Sequence, residues 1–186
     1  MALFPIFLKL TGRSVLVVGG GTVATSKVEA LRRAGARLTI VAPRVSREIA
    51  ASGAAIVRRR FRAADVEGRW LVVSAATPAV NRQVARAAGK RQVFVNAVDD
   101  PPNATAYLGG VFRRAGVTIA VSTDGHAPAI AGLLREGLES LLPDDLDRWM
   151  AIARRERRKW KARGVPMADR RARLLEAINK MYKDRT

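Results

Sequence analysis

The sequence predicts an α/β fold: a parallel sheet covered by helices, then a helical C-terminal region. Three observations carry this. Short apolar runs alternate with helix-forming segments through the first 110 residues, the pattern of a parallel sheet with crossover helices. One of those runs ends in three glycines and passes straight into a helix-like stretch. Beyond residue 110 the alternation gives way to longer, highly charged helical segments.

Taken in order, Leu3 to Leu10 reads as an entry strand or extended segment with Pro5 near its start, and Gly12-Arg13 turns into the first strand. That strand, Val15 to Val18, runs into Gly19-Gly20-Gly21-Thr22-Val23-Ala24. Gly19, Gly21 and Ala24 fill the three small positions of G-x-G-x-x-A. Gly19 permits a tight turn, Gly21 lets a pyrophosphate approach the backbone, and Ala24 lets the helix lie close on the strand. The free N–H groups at the helix start then face the phosphates. The helix, Val23 to Ala34, has apolar positions at 23, 24, 28 and 31 and is closed by Gly35. This strand, turn and helix predict a Rossmann-type sheet that binds a dinucleotide.

The second strand is Arg37 to Val41, stopped by Pro43. Ser46 to Ala51 is a short helix with Ser46 as N-cap. Ala54 to Val57 is the third strand, leading into Arg58-Arg59-Arg60, and Trp70 to Ser74 is the fourth. Pro78 opens the next helix at a position proline tolerates. Val93 to Val95 is the fifth strand and ends at Asn96. Right-handed crossovers put all these strand ends on one edge, so ligands belong there. Further on, Val117 to Ser122 reads as one more strand, and Thr123-Asp124-Gly125-His126 as a loop. Pro128 opens a helix to about Leu142, Pro143 ends it, and Gly164-Val165-Pro166 separates two final helices.

Composition narrows the function classes. A chain of 186 residues, 48% of them hydrophobic, can bury a core. The absence of cysteine excludes disulfides and thiolate metal sites. No segment offers the ~20 apolar residues of a membrane span. Met1 to Lys9 is too short for a signal peptide and lacks a basic start. The lack of cysteine leaves the compartment open, and a nucleotide-dependent enzyme suits the cytoplasm, which is the location expected. The formal net charge of +18 calls for an anionic partner. Residues 1–110 carry 17 Lys/Arg against 6 Asp/Glu, and residues 111–186 carry 17 against 10. The excess is therefore spread along the chain, which leaves a solvated basic surface as the plain alternative.

Few residues combine the right chemistry with the right place. The acid that commonly ends the second strand and holds the ribose is missing: Val41-Ala42-Pro43-Arg44 stands there. Arg44 sits near the ribose or a 2′-phosphate, or is only a surface charge, and the residues do not decide between NAD and NADP. Asp99 and Asp100 follow the fifth strand at the ligand edge, where a carboxylate can act as general base beside a nicotinamide. Adjacent residues of an extended loop point apart, so at most one faces a pocket. The alternative is an Asp-Pro turn with solvated acids. His126, the one histidine, is a proton exchanger or a loop cap; with no other ligands nearby it makes no metal site. The basic stretch Arg154 to Arg163 clasps an anion or nucleic acid, or is a solvated helix that leaves Trp149, Ile152 and Trp160 for packing.

Several blocks occur together and in order: Leu3-Phe4-Pro5-Ile6-Phe7-Leu8, the glycine turn with Lys27, residues 36–43, Asn96-Ala97-Val98-Asp99-Asp100-Pro101, Ile119 to Thr123, and Leu133 to Pro143. Over residues 3–145 the chain resembles the precorrin-2 dehydrogenase family, the dehydrogenase/ferrochelatase module of siroheme synthase. The resemblance implies NAD-dependent oxidation of precorrin-2 to sirohydrochlorin and, in some members, insertion of ferrous iron. It implies an NAD-binding domain over 1–110, a dimerisation and tetrapyrrole-binding segment over 111–145, and a helical region over 146–186, assembled as a homodimer. It places the essential aspartate on Asp99 and the cofactor contacts on Thr22, Val23, Pro43 and Arg44, beside Gly19 and Gly21 of the phosphate turn. Thr77, after the fourth strand, is expected to border the cofactor as well, and Thr123 and His126 to meet the substrate. The substrate carries eight carboxylates, which gives the basic surface a concrete partner.

The chain also departs from that family. Pro78-Ala79 stands where acids are common. The loop usually written Thr-Gly-Gly-x-Ser-Pro is here Thr123-Asp124-Gly125-His126-Ala127-Pro128. Gly132 replaces a common arginine, and Gly109-Gly110 a proline-containing turn. These changes fall on the tetrapyrrole side more than on the cofactor side. The rival reading is a nucleotide-sensing or nucleic-acid-binding module that kept the fold and lost the chemistry.

Overall fold

The computed structural model describes residues 3–183; Met1, Ala2 and residues 184–186 lie outside them. The chain forms two compact units. The first runs through Leu108 and takes in Asp124–Ala127; the second comprises Gly109–Thr123 and the chain from Pro128 onward.

In the first unit, β1 (Ser14–Val18), α1 (Thr22–Arg33), β2 (Arg37–Val41), α2 (Arg47–Ala50), β3 (Ala55–Val57), β4 (Leu71–Ser74), α3 (Pro78–Gly89) and β5 (Phe94–Ala97) follow one another. The five strands pair in parallel in the order β3-β2-β1-β4-β5. This is the expected doubly wound α/β sheet of Rossmann type, with the reversal of strand order between β1 and β4. The alternation of side chains decides what each face holds. Val15 and Val17 pack with Ala24, Val28 and Leu31 of α1 and Ile49 of α2, while Leu16 and Val18 pack with Val84, Ala87 and Ala88 of α3. Ala24 is fully buried, as close helix-to-strand packing requires.

The entry segment from Leu3 to Leu10 has no regular secondary structure and joins no sheet, and within it only Leu10 is buried. Ser46 caps α2 through its side chain, accepting from the Ile49 N–H (3.1 Å). Two 3₁₀ turns that the sequence pattern does not announce lie at Ala63–Val66 and Pro101–Asn103. The first is locked by Asp65, which accepts both guanidinium arms of Arg59 (2.8 and 2.6 Å) and the Arg62 N–H (2.8 Å).

The second unit opens with a hairpin where a lone strand was expected. β6 (Gly110–Arg114) and β7 (Val117–Val121) pair antiparallel around Ala115-Gly116, both at positive φ. A two-residue turn of this kind needs left-handed backbone at both positions. Helix α4 (Pro128–Ser140) packs on the hairpin, and α5 (Leu146–Ala162) packs on α6 (Met167–Lys183). Ile152 and Trp160 are buried; Trp149 is only half-buried and donates its indole N–H to Tyr182 Oη (2.8 Å).

Candidate functional site

The carboxyl ends of β1, β2 and β4 converge on the glycine turn, and each glycine there meets a different demand. Gly19 has φ +123°, and a Cβ on it would run into the Ala75 carbonyl after β4. Its N–H reaches back to the Val41 carbonyl (3.1 Å). Gly20 has no room either: a Cβ would strike the Arg44 carbonyl. The Gly20 carbonyl accepts from the Ser46 N–H (2.8 Å), and Thr25 Oγ1 shares a hydrogen bond with Ser46 Oγ (2.9 Å). So the loop after β2 is clamped onto the phosphate turn. Sequence reasoning missed Gly20, Thr25 and Ser46 in this role, because the motif leaves the middle glycine unspecified.

Gly21 differs. Its φ of −85° suits any residue, and a Cβ would meet nothing within 4 Å. The protein's own packing gives no reason for glycine here, and the open space leaves room for a group approaching the backbone. Gly21 is also the N-cap of α1, and no side chain caps that end. The first turn holds no acid. Uncapped N–H groups at the positive end of a 12-residue helix form an anion site. The cradle therefore fits a dinucleotide pyrophosphate, with exposed Thr22 and Val23 at its lip and exposed Pro43 and Arg44 beside it.

The β4 end is stiffened by a pair that the sequence pattern hid. Ser74 and Asn81 are both buried; Ser74 Oγ donates to Asn81 Oδ1 (2.7 Å), which also accepts from the Ala76 N–H (3.4 Å). Thr77 caps α3 by its backbone, its carbonyl accepting from the Asn81 N–H (2.9 Å), and its side chain stays exposed. A serine inside an otherwise apolar strand was the available clue.

The two acids after β5 separate as adjacent loop residues should. Asp100 accepts the Asn103 side-chain amide on both carboxylate oxygens (2.9 and 3.0 Å), which fixes the 3₁₀ turn. Asp99 is exposed and sits in left-handed backbone at φ +54°. Such a φ is uncommon away from glycine, and Asp is among the residues that tolerate it. The Val98 N–H bonds the Ser74 carbonyl (2.9 Å), so this turn stands beside the β4 end.

The segment Asp124–Ala127 rests on the same region. A Cβ on Gly125, which has φ +79°, would touch Tyr107 at 3.0 Å and Pro101 at 3.2 Å. Tyr107 donates its hydroxyl to the Pro101 carbonyl (3.3 Å). His126 is exposed, and its Nδ1 donates to the Asp124 carbonyl (2.9 Å). The first unit thus carries Gly19, Gly21, Thr22, Val23, Pro43, Arg44, Thr77, Asp99 and His126, whereas Thr123 is half-buried in the second. Among the described residues no group of three or more His, Cys, Asp or Glu could hold a metal ion.

Comparison with known proteins places the chain among relatives of like sequence and fold. Siroheme synthase 1 of Aeromonas salmonicida (strain A449) is 40% identical over 185 residues, covering 95% of this chain and 40% of its own. The siroheme synthase of Photorhabdus laumondii is 38% identical over 192 residues, covering 96% of this chain and 39% of its own. This chain therefore spans about two fifths of the length of these curated relatives. Among solved structures, SirC, a precorrin-2 dehydrogenase, superposes with a TM-score of 0.75 at 29% identity, covering 95% of this chain and 89% of that one. These similarities bear out the resemblance drawn from the sequence blocks. The family model for NAD(P)-binding domains matches residues 6–110, more than half the chain, and the chain belongs to that NAD(P)-binding family.

Proposed function

We propose that this protein oxidises precorrin-2 to sirohydrochlorin with NAD, with Asp99 as the base. The observation that carries this reading is the division of labour after β5. Asp100 is consumed by Asn103, while Asp99 stands exposed at the sheet edge that also holds the open cradle at Gly21. NAD supplies the hydride acceptor. Gly21 and the N–H groups opening α1 hold its pyrophosphate, with Gly19, Thr22, Val23, Pro43, Arg44 and Thr77 around it. The oxidation removes one hydride and one proton from the macrocycle, and the Asp99 carboxylate takes the proton. His126, in the loop resting on Pro101 and Tyr107, and Thr123 meet the substrate. The surplus of cations draws in a substrate of many carboxylates.

Iron insertion into the product would also strip pyrrole protons and would draw on the same base, with Fe²⁺ as substrate. The working unit is a homodimer. Helix α4 supports this: Ile130, Leu133, Leu134 and Leu138 are exposed, and Leu141 follows at 79% exposure. A soluble chain rarely leaves such a face bare. We place the reaction in the cytoplasm; no helix among the described residues is long and apolar enough to cross a membrane.

Asp99→Ala tests the assignment. Precorrin-2 generated in situ under anaerobic conditions is converted by the wild type with NADH formation. The variant should bind NAD normally and lose about 100-fold or more in kcat. Unchanged turnover would remove Asp99 from its role. Salt-sensitive DNA binding without any turnover would favour the non-catalytic module instead. Adding Fe²⁺ to the product and following the absorbance spectrum reads insertion separately.

A further inference from the structure

We infer that the groove between α5 and α6 is a binding site for a compact polyanion, a ligand carrying three or more negative charges on phosphate or carboxylate oxygens. Every residue lining it belongs to the second unit, whereas the glycine cradle belongs to the first. The inference adds a site to the reading above and does not rest on it.

The charge of the second half of the chain is unevenly laid down. Residues 111–145 hold 3 Lys/Arg against 5 Asp/Glu, while residues 146–183, the α5–α6 pair, hold 13 against 4. Arg155, Lys159 and Arg163 recur every four residues and line the groove from α5; Arg173 and Lys180, two turns apart, line it from α6. Like charges at four-residue spacing work against a helix. One acid, Glu156, serves two of these cations, at 3.2 Å from Arg155 and 3.0 Å from Lys159. Arg163, Arg173 and Lys180 make no ion pair among the described residues. The helix dipole accounts for Lys159, Lys161 and Lys180 in the last turns. It gives no reason for Arg155 or Arg173, which stand away from those ends.

These cations surround a hollow. The groove encloses about 460 Å³, and buried Trp160 and Val165 are part of its lining. That is the size of a small-ligand site. The turn joining the two helices is tied down: the Val165 N–H donates to the Trp160 carbonyl (3.0 Å), and the Arg170 guanidinium donates twice to the Val165 carbonyl (3.0 and 2.8 Å). The cations are therefore carried on helices already held together, which lowers the cost of gathering them on a ligand. Arginine forks suit phosphate and carboxylate oxygens alike. Duplex nucleic acid takes a protruding helix or ribbon into its own groove, and a concavity of this size does not offer one.

Calorimetric titration of the full chain with inorganic tripolyphosphate, with NAD in excess to occupy the first unit's cradle, tests this without turnover. Wild type should bind saturably, and added salt should weaken the binding steeply. Arg163→Ala/Arg173→Ala should weaken it about tenfold or more. Arg157→Ala/Arg158→Ala removes the same charge from exposed positions outside the groove and should weaken it less than about twofold. NAD affinity should be the same in both variants as in wild type, so failure of the nucleotide reading is seen separately. Citrate titrated in parallel shows whether phosphate or carboxylate is the better occupant. No saturable binding by wild type, equal losses in the two double variants, or a DNA duplex bound more tightly than tripolyphosphate through the same two arginines would overturn the inference.

Discussion

The two units of this molecule close their interiors to different degrees. In the first, Val15, Leu16, Val17, Ile40, Ile49, Val66, Val72, Val73 and Val84 are wholly shielded from solvent, and the sheet is filled on both faces. In the second, the buried set of Phe112, Ala131, Leu146, Ile152, Trp160, Val165 and Ile178 is thinner, and α4 leaves Leu133 67% exposed. The first unit fills its sheet on both faces and leaves room for a side chain at Gly21. The second carries an apolar face that its own packing does not use. The contrast separates residues required by the fold from residues held for something outside it.

That separation can be broken, and the sharpest attempt is at Gly19. Gly19→Ala forces a Cβ against the Ala75 backbone at a φ that side chains avoid. We expect a loss of about 3 kcal/mol by chemical denaturation, because the cost is internal to the first unit. Next in size is the double variant Leu133→Asp/Leu134→Asp. It should leave the first unit's nucleotide binding intact and, if the proposed homodimer is the working unit, give a monomer in light scattering where wild type gives a dimer; a variant of wild-type size would show that α4 is not the interface.

Smaller is the effect at Asp65. The Arg59 guanidinium, ahead of the Arg62 N–H, holds the Asp65 carboxyl below its ordinary value of 3.8, against the opposing push of burial. A depressed carboxylate stabilises the fold above the unfolded value, and that contribution disappears as pH falls through the lower folded value. Asp65→Asn should therefore cost about 1 kcal/mol at neutral pH and leave the difference from wild type vanishing in strong acid, as measured by urea midpoints across pH.

How much of this was legible follows the same division. The five parallel strands announce themselves as apolar runs with glycine or proline at their ends, and the G-x-G-x-x-A spacing places the turn. What the pattern hides is tertiary. The role of Gly20 depends on where the Arg44 carbonyl lies, and the freedom of Asp99 depends on Asn103 having taken Asp100. The hairpin escaped because its turn is Ala115-Gly116, which lacks the Asn-Gly signature, and because Gly110–Arg114 holds only two apolar side chains. Phe112 alone of that strand is buried, so no alternation marks it.

The account turns on Gly21 being glycine for the sake of a ligand. Titrating NAD into wild type and into Gly21→Ala, with the melting temperature of each taken in the absence of nucleotide, tests this most directly. The account predicts a melting temperature within a few degrees of wild type, since a Cβ there meets nothing within 4 Å, together with a loss of NAD binding of about tenfold or more. A variant that binds NAD as wild type does would contradict it.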